Sequence, residues 1–213
     1  MANEPIIFSG TSHPELADEM AILLRTPLGN RNVHLFPDKE IFVEILEKVE
    51  GRHVVVLQTL GLDPNIYLME LLIMVDALKR ASPASITAII PYYSYARQDR
   101  VDKPGVPITA KLVANLLTCA GINRLMTIDL HSEQIEGFFD IPVDHVRSRD
   151  LLIPYCAKLH LADAVVVSPD KGGIKMASDF AYKLGVPLAL VDKDRIDDYH
   201  VELHYFVGQV EGK

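Results

Sequence analysis

Short apolar runs rich in β-branched residues alternate along this chain with longer stretches in which apolar positions recur at helical spacing. That alternation predicts βαβ units and a parallel sheet. The runs predict strands at 5–8, 32–35, 53–57, 86–91, 124–129, 164–168 and 188–191. Val54-Val55-Val56-Leu57 and Val165-Val166-Val167 are apolar at every position, which predicts strands covered on both faces. Helices are predicted at 14–25, 65–81, 108–120, 148–160 and 172–184, with Gly121 and Gly185 where left-handed C-terminal caps fall. The pattern restarts after 142–149, so the chain reads as two tandem α/β domains, 1–145 and 146–213. The second offers only two predicted strands, too few for a sheet covered by helices, and is expected to be incomplete.

Composition narrows the setting. With 49% hydrophobic residues and a mean hydropathy of +0.15, the chain fills a core and keeps apolar surface for subunit contacts. Twenty-one Lys and Arg against 29 Asp and Glu give a net charge of −8. The overall positive field that holds a protein on nucleic acid is missing, so no nucleic-acid partner is expected. Cys119 and Cys156 lie in apolar or helical stretches without a CxxC partner, which predicts buried thiols in a reducing compartment. No basic start followed by an apolar run is visible, and the longest apolar stretch is broken by Glu70, Asp76, Lys79 and Arg80. A soluble cytoplasmic protein that does not enter membranes is expected. The glycines include no GxG pair, which excludes the dinucleotide fingerprint. GQVEGK at 208–213 falls one residue short of a phosphate loop and reads as a turn. His200 and His204 are spaced like metal ligands on a helix, but Val201 and Leu203 between them suggest a strand.

Four segments place polar groups at strand ends, where α/β sheets hold ligands. Phe36-Pro37-Asp38-Lys39-Glu40 offers an aromatic face for a base and carboxylates for an exocyclic amine. Tyr92 to Arg100, read YYSYARQDR, sets Arg97 and Arg100 three apart, so that both can face one anion. In Asp129-Leu130-His131, strand alternation puts the carboxylate and the imidazole on one side, for a metal or a phosphate. In Ser168-Pro169-Asp170-Lys171-Gly172-Gly173 a strand turns into a helix, exposing amides to an anion with Asp170 alongside to suit Mg²⁺. Beyond the next strand, Lys193 and Arg195 supply two cations on a predicted exposed loop.

In combination these segments resemble the ribose-phosphate pyrophosphokinase family. FPDKE, MELLIMVDALKRAS, YARQDR, ITAKLVANLL, DLHSEQIEGFFDIPVDH, VVSPDKGG and VGQVEGK occur in the family's order and at its spacing. The resemblance implies two phosphoribosyltransferase-type domains, each a parallel sheet flanked by helices, in homo-oligomers built from dimers, usually hexamers. The implied reaction moves the β,γ-diphosphoryl group of ATP to C1 of ribose 5-phosphate, releasing AMP. Arg97, Gln98 and Asp102 would contact ATP, while Phe36, Asp38 and Glu40 would reach a nucleotide bound mainly by a neighbouring subunit. His131 and Asp170 would organise Mg²⁺ and phosphate oxygens, and Lys193 and Arg195 match the catalytic pair.

Three departures stand out. The family's ribose-phosphate loop is expected to lie beyond residue 213, which leaves the isolated chain with half of its acceptor site and predicts that it does not turn over by itself. Lys48, Glu50 and Gly105 stand where regulated members carry a Ser and two Arg, which predicts indifference to inorganic phosphate as an activator. Met176 replaces an Arg and Glu136 a Gln. Two alternatives compete: a catalytically weak subunit that assembles with an active synthetase, and a purine phosphoribosyltransferase.

Overall fold

All four residues of the first strand, β1 (Ile6–Ser9), are buried, and four further strands align with it. The computed structural model describes residues 4–159, 161, 163–195 and 201–213, without the side chains of 194, 195 and 201–204. After β1 come α1 (Pro14–Leu24), an antiparallel hairpin of β2 (Arg31–Leu35) and β3 (Ile41–Ile45), β4 (His53–Leu57) and α2 (Pro64–Arg80). Next are β5 (Ser85–Ile90), α3 (Thr109–Ala120), β6 (Arg124–Ile128), a 3-10 turn (Glu133–Phe138) and β7 (Val143–Val146). The chain closes with α4 (Arg149–Lys158), β8 (Val166–Ser168), α5 (Ile174–Leu184), β9 (Leu188–Arg195) and β10 (Val201–Val207). Two compact units result, Met1–Val146 and Arg147–Lys213.

In the first unit the parallel sheet runs β1-β4-β5-β6-β7. An order that never reverses sends its right-handed crossovers to one face. On that face Ile86, Ala88 and Ile90 of β5 join Val54, Val56 and Phe8 in a core with Leu71, Met74 and Leu78 of α2 and Val113 and Leu117 of α3. The opposite face is covered less completely, with Val55, Thr87 and Ile89 half-buried. The expectation of strands buried on both faces is corrected accordingly, and in the second unit Val167 is exposed. The helix spans hold: Gly185 closes α5 in the left-handed conformation (φ 68°, ψ 30°). α3 buries Ala110, Val113, Ala114 and Leu117 along one stripe. Cys119 lies off that stripe and is exposed, and Cys156 is half-buried, so neither thiol is the buried one expected.

The second unit departs further. Its sheet is mixed, β9 pairing parallel with β8 and antiparallel with β10. The ladder to β10 carries β9 on to Arg195, beyond the apolar run that the hydrophobic pattern marks. Lys193 and Arg195 therefore belong to a strand, not to a loop. His204 lies in β10, whereas His200 is outside the described residues. Among the described residues no helix is long and apolar enough to cross a membrane.

Behind the ends of β1 and β4 a polar knot is buried. Glu70, 3% exposed, accepts from the Thr11 N–H at 2.6 Å, the Thr11 hydroxyl at 2.5 Å and Gln58 Nε2 at 3.1 Å. Gln58 Oε1 accepts from the Ser12 hydroxyl at 2.7 Å, and Ser12 Oγ accepts from the Thr59 N–H at 3.0 Å. Such a network is stable only when its members are satisfied. It closes so tightly over Gly10 that a Cβ there would sit 2.0 Å from Gln58 Oε1 and 2.7 Å from Glu70 Oε1. Gly10→Ala is expected to lower the unfolding free energy by about 2–3 kcal/mol in urea titration, the scale of overpacking a closed interior. A loss below about 0.5 kcal/mol, the scale of an unconstrained surface change, would show that the knot does not restrict this position.

Candidate functional site

β5 and β6 pair in parallel with Ile90 opposite Thr127, so the loops that leave them emerge side by side. The loop after β5 is anchored by Tyr93, which is buried and donates its hydroxyl to Ala110 O at 2.9 Å. Burial pushes this phenol above its ordinary value, which keeps it a neutral donor. Tyr95 then adopts a left-handed backbone (φ 61°), and its hydroxyl donates to Asn65 Oδ1 on α2. Gln98 N–H returns to Tyr95 O at 2.9 Å. This tight turn buries Ala96 and leaves Arg97 and Gln98 exposed.

A cavity of about 440 Å³ lies over these strand ends, lined by Arg97, Gln98, Arg100, Asp102, Lys103 and His131 with neighbouring loop residues. Arg97 and Arg100 thus face one space, as their spacing predicts. Two guanidinium groups and an ammonium make a local cationic wall in a chain of net charge −8, a match for phosphate oxygens. Gln98 Oε1 accepts from the Thr109 hydroxyl, which leaves the amide nitrogen to donate.

The residue that assembles the cavity is one the sequence reading assigns no role. Asp99, 9% exposed, turns inward, and its Oδ2 accepts from Ser132 Oγ at 2.6 Å and from Gln134 Nε2 at 3.0 Å. It cross-links the loop carrying Arg97 to the loop carrying His131. Its position between two exposed cations was the available signal, since a lone carboxylate in such a run either pairs with them or turns away.

His131 reaches the cavity by a different route from the one predicted. β6 ends at Ile128, and Asp129 is left-handed (φ 43°), so strand alternation does not extend to His131. The shared side expected for Asp129 and His131 is corrected: His131 lines the cavity and Asp129 does not.

Phe36, Asp38 and Glu40 are not brought to this cavity. They form the turn between β2 and β3, where Phe36 N–H donates to Glu40 O at 2.8 Å and Glu40 N–H to Asp38 Oδ1 at 3.1 Å. Phe36 is 43% exposed and packs edge-on to His34 and Phe42, with ring centroids 5.5 and 5.6 Å apart.

In the second unit Asp170 Oδ1 accepts from Gly173 N–H at 2.9 Å. The turn expected to offer free amides to an anion thus has one of them closed by its own carboxylate. Lys193 Nζ stands 3.8 Å from Asp170 Oδ2, and Lys171 Nζ 2.9 Å from Asp192 Oδ1, two ion pairs that bind the turn to β9. The Arg195 side chain lies outside the described residues. Among the described residues no three His, Cys, Asp or Glu side chains gather as a metal cage.

Residues 5–121 match the model of the N-terminal domain of ribose phosphate pyrophosphokinase. The chain is 50% identical over 213 residues to a ribose-phosphate pyrophosphokinase of Fusobacterium nucleatum, covering 99% of this chain and 67% of that protein. It is 51% identical over 210 residues to one from Clostridium perfringens, covering 97% and 66%. The crystal structure of phosphoribosylpyrophosphate synthetase from Mycobacterium smegmatis superposes with a TM-score of 0.86 at 45% identity, over 95% of this chain and 67% of that one. The chain thus spans about two thirds of the length of these relatives.

Asp99→Ala strands two donors near the cavity floor and is expected to cost about 1–3 kcal/mol in urea titration. Asp99→Asn, which keeps an acceptor, should recover most of that loss. Equal stability for Asp99→Ala and the unaltered chain would deny the cross-link its weight.

Proposed function

This chain belongs to the ribose-phosphate pyrophosphokinase family, and on that premise we propose that it acts in the transfer of the β,γ-diphosphoryl group of ATP to ribose 5-phosphate. The sugar's C1 hydroxyl oxygen forms a bond to the β-phosphorus and gives up its proton to water, the bridge between the α- and β-phosphoryl groups breaks, and AMP leaves with phosphoribosyl pyrophosphate as the other product. The observation that carries this reading is the cationic cavity over β5 and β6.

In the first unit Arg97 and Arg100 neutralise phosphoryl oxygens, while Gln98 donates and Asp102 accepts at the nucleotide. His131 serves the phosphate oxygens or the ion that accompanies them, and imidazole suits the first role better than hard Mg²⁺. Phe36, Asp38 and Glu40, at an exposed hairpin turn, are assigned to a nucleotide held by a neighbouring copy in a homo-oligomer, a dimer that builds to a hexamer. In the second unit Asp170 fits Mg²⁺: one oxygen is oriented by Gly173 N–H, the side chain is 44% exposed, and this ion takes one or two carboxylates with water and phosphate. When bound, the ion screens charge on the polyphosphate. Lys193 and Arg195 oppose the charge that develops on the transferred group and the leaving AMP. The proposed setting is the cytoplasm. The associated-subunit and purine phosphoribosyltransferase readings have no comparable support.

AMP release by the protein extended through the family's ribose-phosphate loop, measured with and without ribose 5-phosphate, tests the reading, and dependence on the sugar phosphate is expected. In the same extended protein Lys193→Ala should cut turnover about a hundredfold or more, the scale of losing one preorganised charge-stabilising group. Near-normal AMP production by that variant would refute the assignment. Lys48 Nζ stands 3.7 Å from Glu50 Oε2 on the surface, so the carboxylate offsets the cation that an anion would need. Turnover is accordingly expected to be flat in inorganic phosphate, and a steep activation curve would refute that.

A further inference from the structure

His131 enters the cavity between two tethers. On one side Ser132 Oγ donates to Asp99. On the other, the Leu130 N–H donates to His145 Nε2 at 3.0 Å. His145 lies on β7 with its side chain 7% exposed, and its Nδ1 is 2.6 Å from Glu136 Oε1. An imidazole that accepts at one nitrogen carries its proton on the other. Nδ1–H therefore donates to Glu136, and the Nε2 lone pair is aimed at Leu130. The opposite tautomer would set two N–H groups against each other.

We propose that His145 is a positioning residue for His131. Glu136 holds the ring in one tautomer and orientation, the ring holds the Leu130 amide, and that amide fixes the direction from which the next residue enters the cavity.

The backbone explains why a side chain is needed here. The β6–β7 ladder ends at Ile128 opposite Val146, and Asp129 N–H makes one more bond to Val146 O at 3.1 Å. Asp129 is then left-handed, and the main chain turns out of reach of β7. The next amide, on Leu130, has no strand carbonyl to meet, and an unpaired amide in a half-buried segment is costly. The imidazole reaches from β7 to supply the acceptor. Strand alternation makes this possible: Asp144 leans to the other side, where both its oxygens take Arg124 Nη1 at 2.8 Å, so His145 is left for the loop. The Leu130 side chain packs against the core, so the amide tether removes the remaining freedom of the segment.

The proposal rests on the function given above insofar as His131 acts on ATP, and its test separates the two. His145→Leu keeps the volume and removes the acceptor; His145→Gln restores an acceptor at similar reach. Hydrogen exchange at the Leu130 amide and the dissociation constant for ATP with Mg²⁺ are measured on the full chain. In His145→Leu we expect the amide to exchange at least about tenfold faster and ATP to bind about tenfold more weakly, with both restored in His145→Gln. Should His145→Leu fail to fold, Glu136→Ala against Glu136→Gln carries the same comparison from a partly exposed position. Unchanged exchange overturns the proposal. Faster exchange with unaltered ATP binding overturns it too, since the tether would then serve the fold alone. If the unaltered chain does not bind ATP, the proposed function fails and takes this role with it, a result distinct from either of the others.

Discussion

Pairing β5 to β6 in parallel, Ile90 against Thr127, sets two loop exits about 4.8 Å apart at one edge of the sheet. Arg97 and His131 are far apart in sequence, yet neither loop has to reach for the other. What the pairing cannot do is hold the loops in a fixed mutual orientation, because both leave regular structure at once. The Asp99 carboxylate does that, and its burial is tolerable because two donors converge on one oxygen. The exposed cations above it are then free to meet a ligand.

The knot around Glu70 uses the same chemistry to a different end. Its carboxylate and the Gln58 amide consume the donors of Thr11 and Ser12, and Gly10 lets the backbone press against them. That edge of the sheet is closed by its own hydrogen bonds. The edge over β5 and β6 stays open because its buried acceptor is saturated by neutral groups, leaving Arg97, Arg100 and Lys103 to line the space.

Much of this was legible in the residues, and the parts that were not have physical reasons. The β-branched runs located the cores of seven of the ten strands named above, and YARQDR announced a cationic loop, because burial and charge are properties of single residues. β3 went unread because FPDKE looks like a binding loop, and a hairpin turn uses the same residue types. β9 appeared to stop at Val191 since Asp192 and Lys193 break the apolar run, whereas its last pairs come from β10, a partner no local pattern reveals. Asp129 looked extended, and only tertiary context makes it left-handed. His145 was silent, and Glu136 stood out only as a replacement for Gln, because their meeting depends on where β7 falls in the sheet.

The position of Lys193 on a strand has a mechanical side. Its backbone is in register with Leu203 of β10, and the pairing slips between Leu203 and Tyr205. A slip of that kind bends and twists a two-stranded ribbon locally. The ammonium is accordingly borne on laddered backbone beside that irregularity, and its 3.8 Å approach to Asp170 is anchored from the β10 side as well as from its own strand.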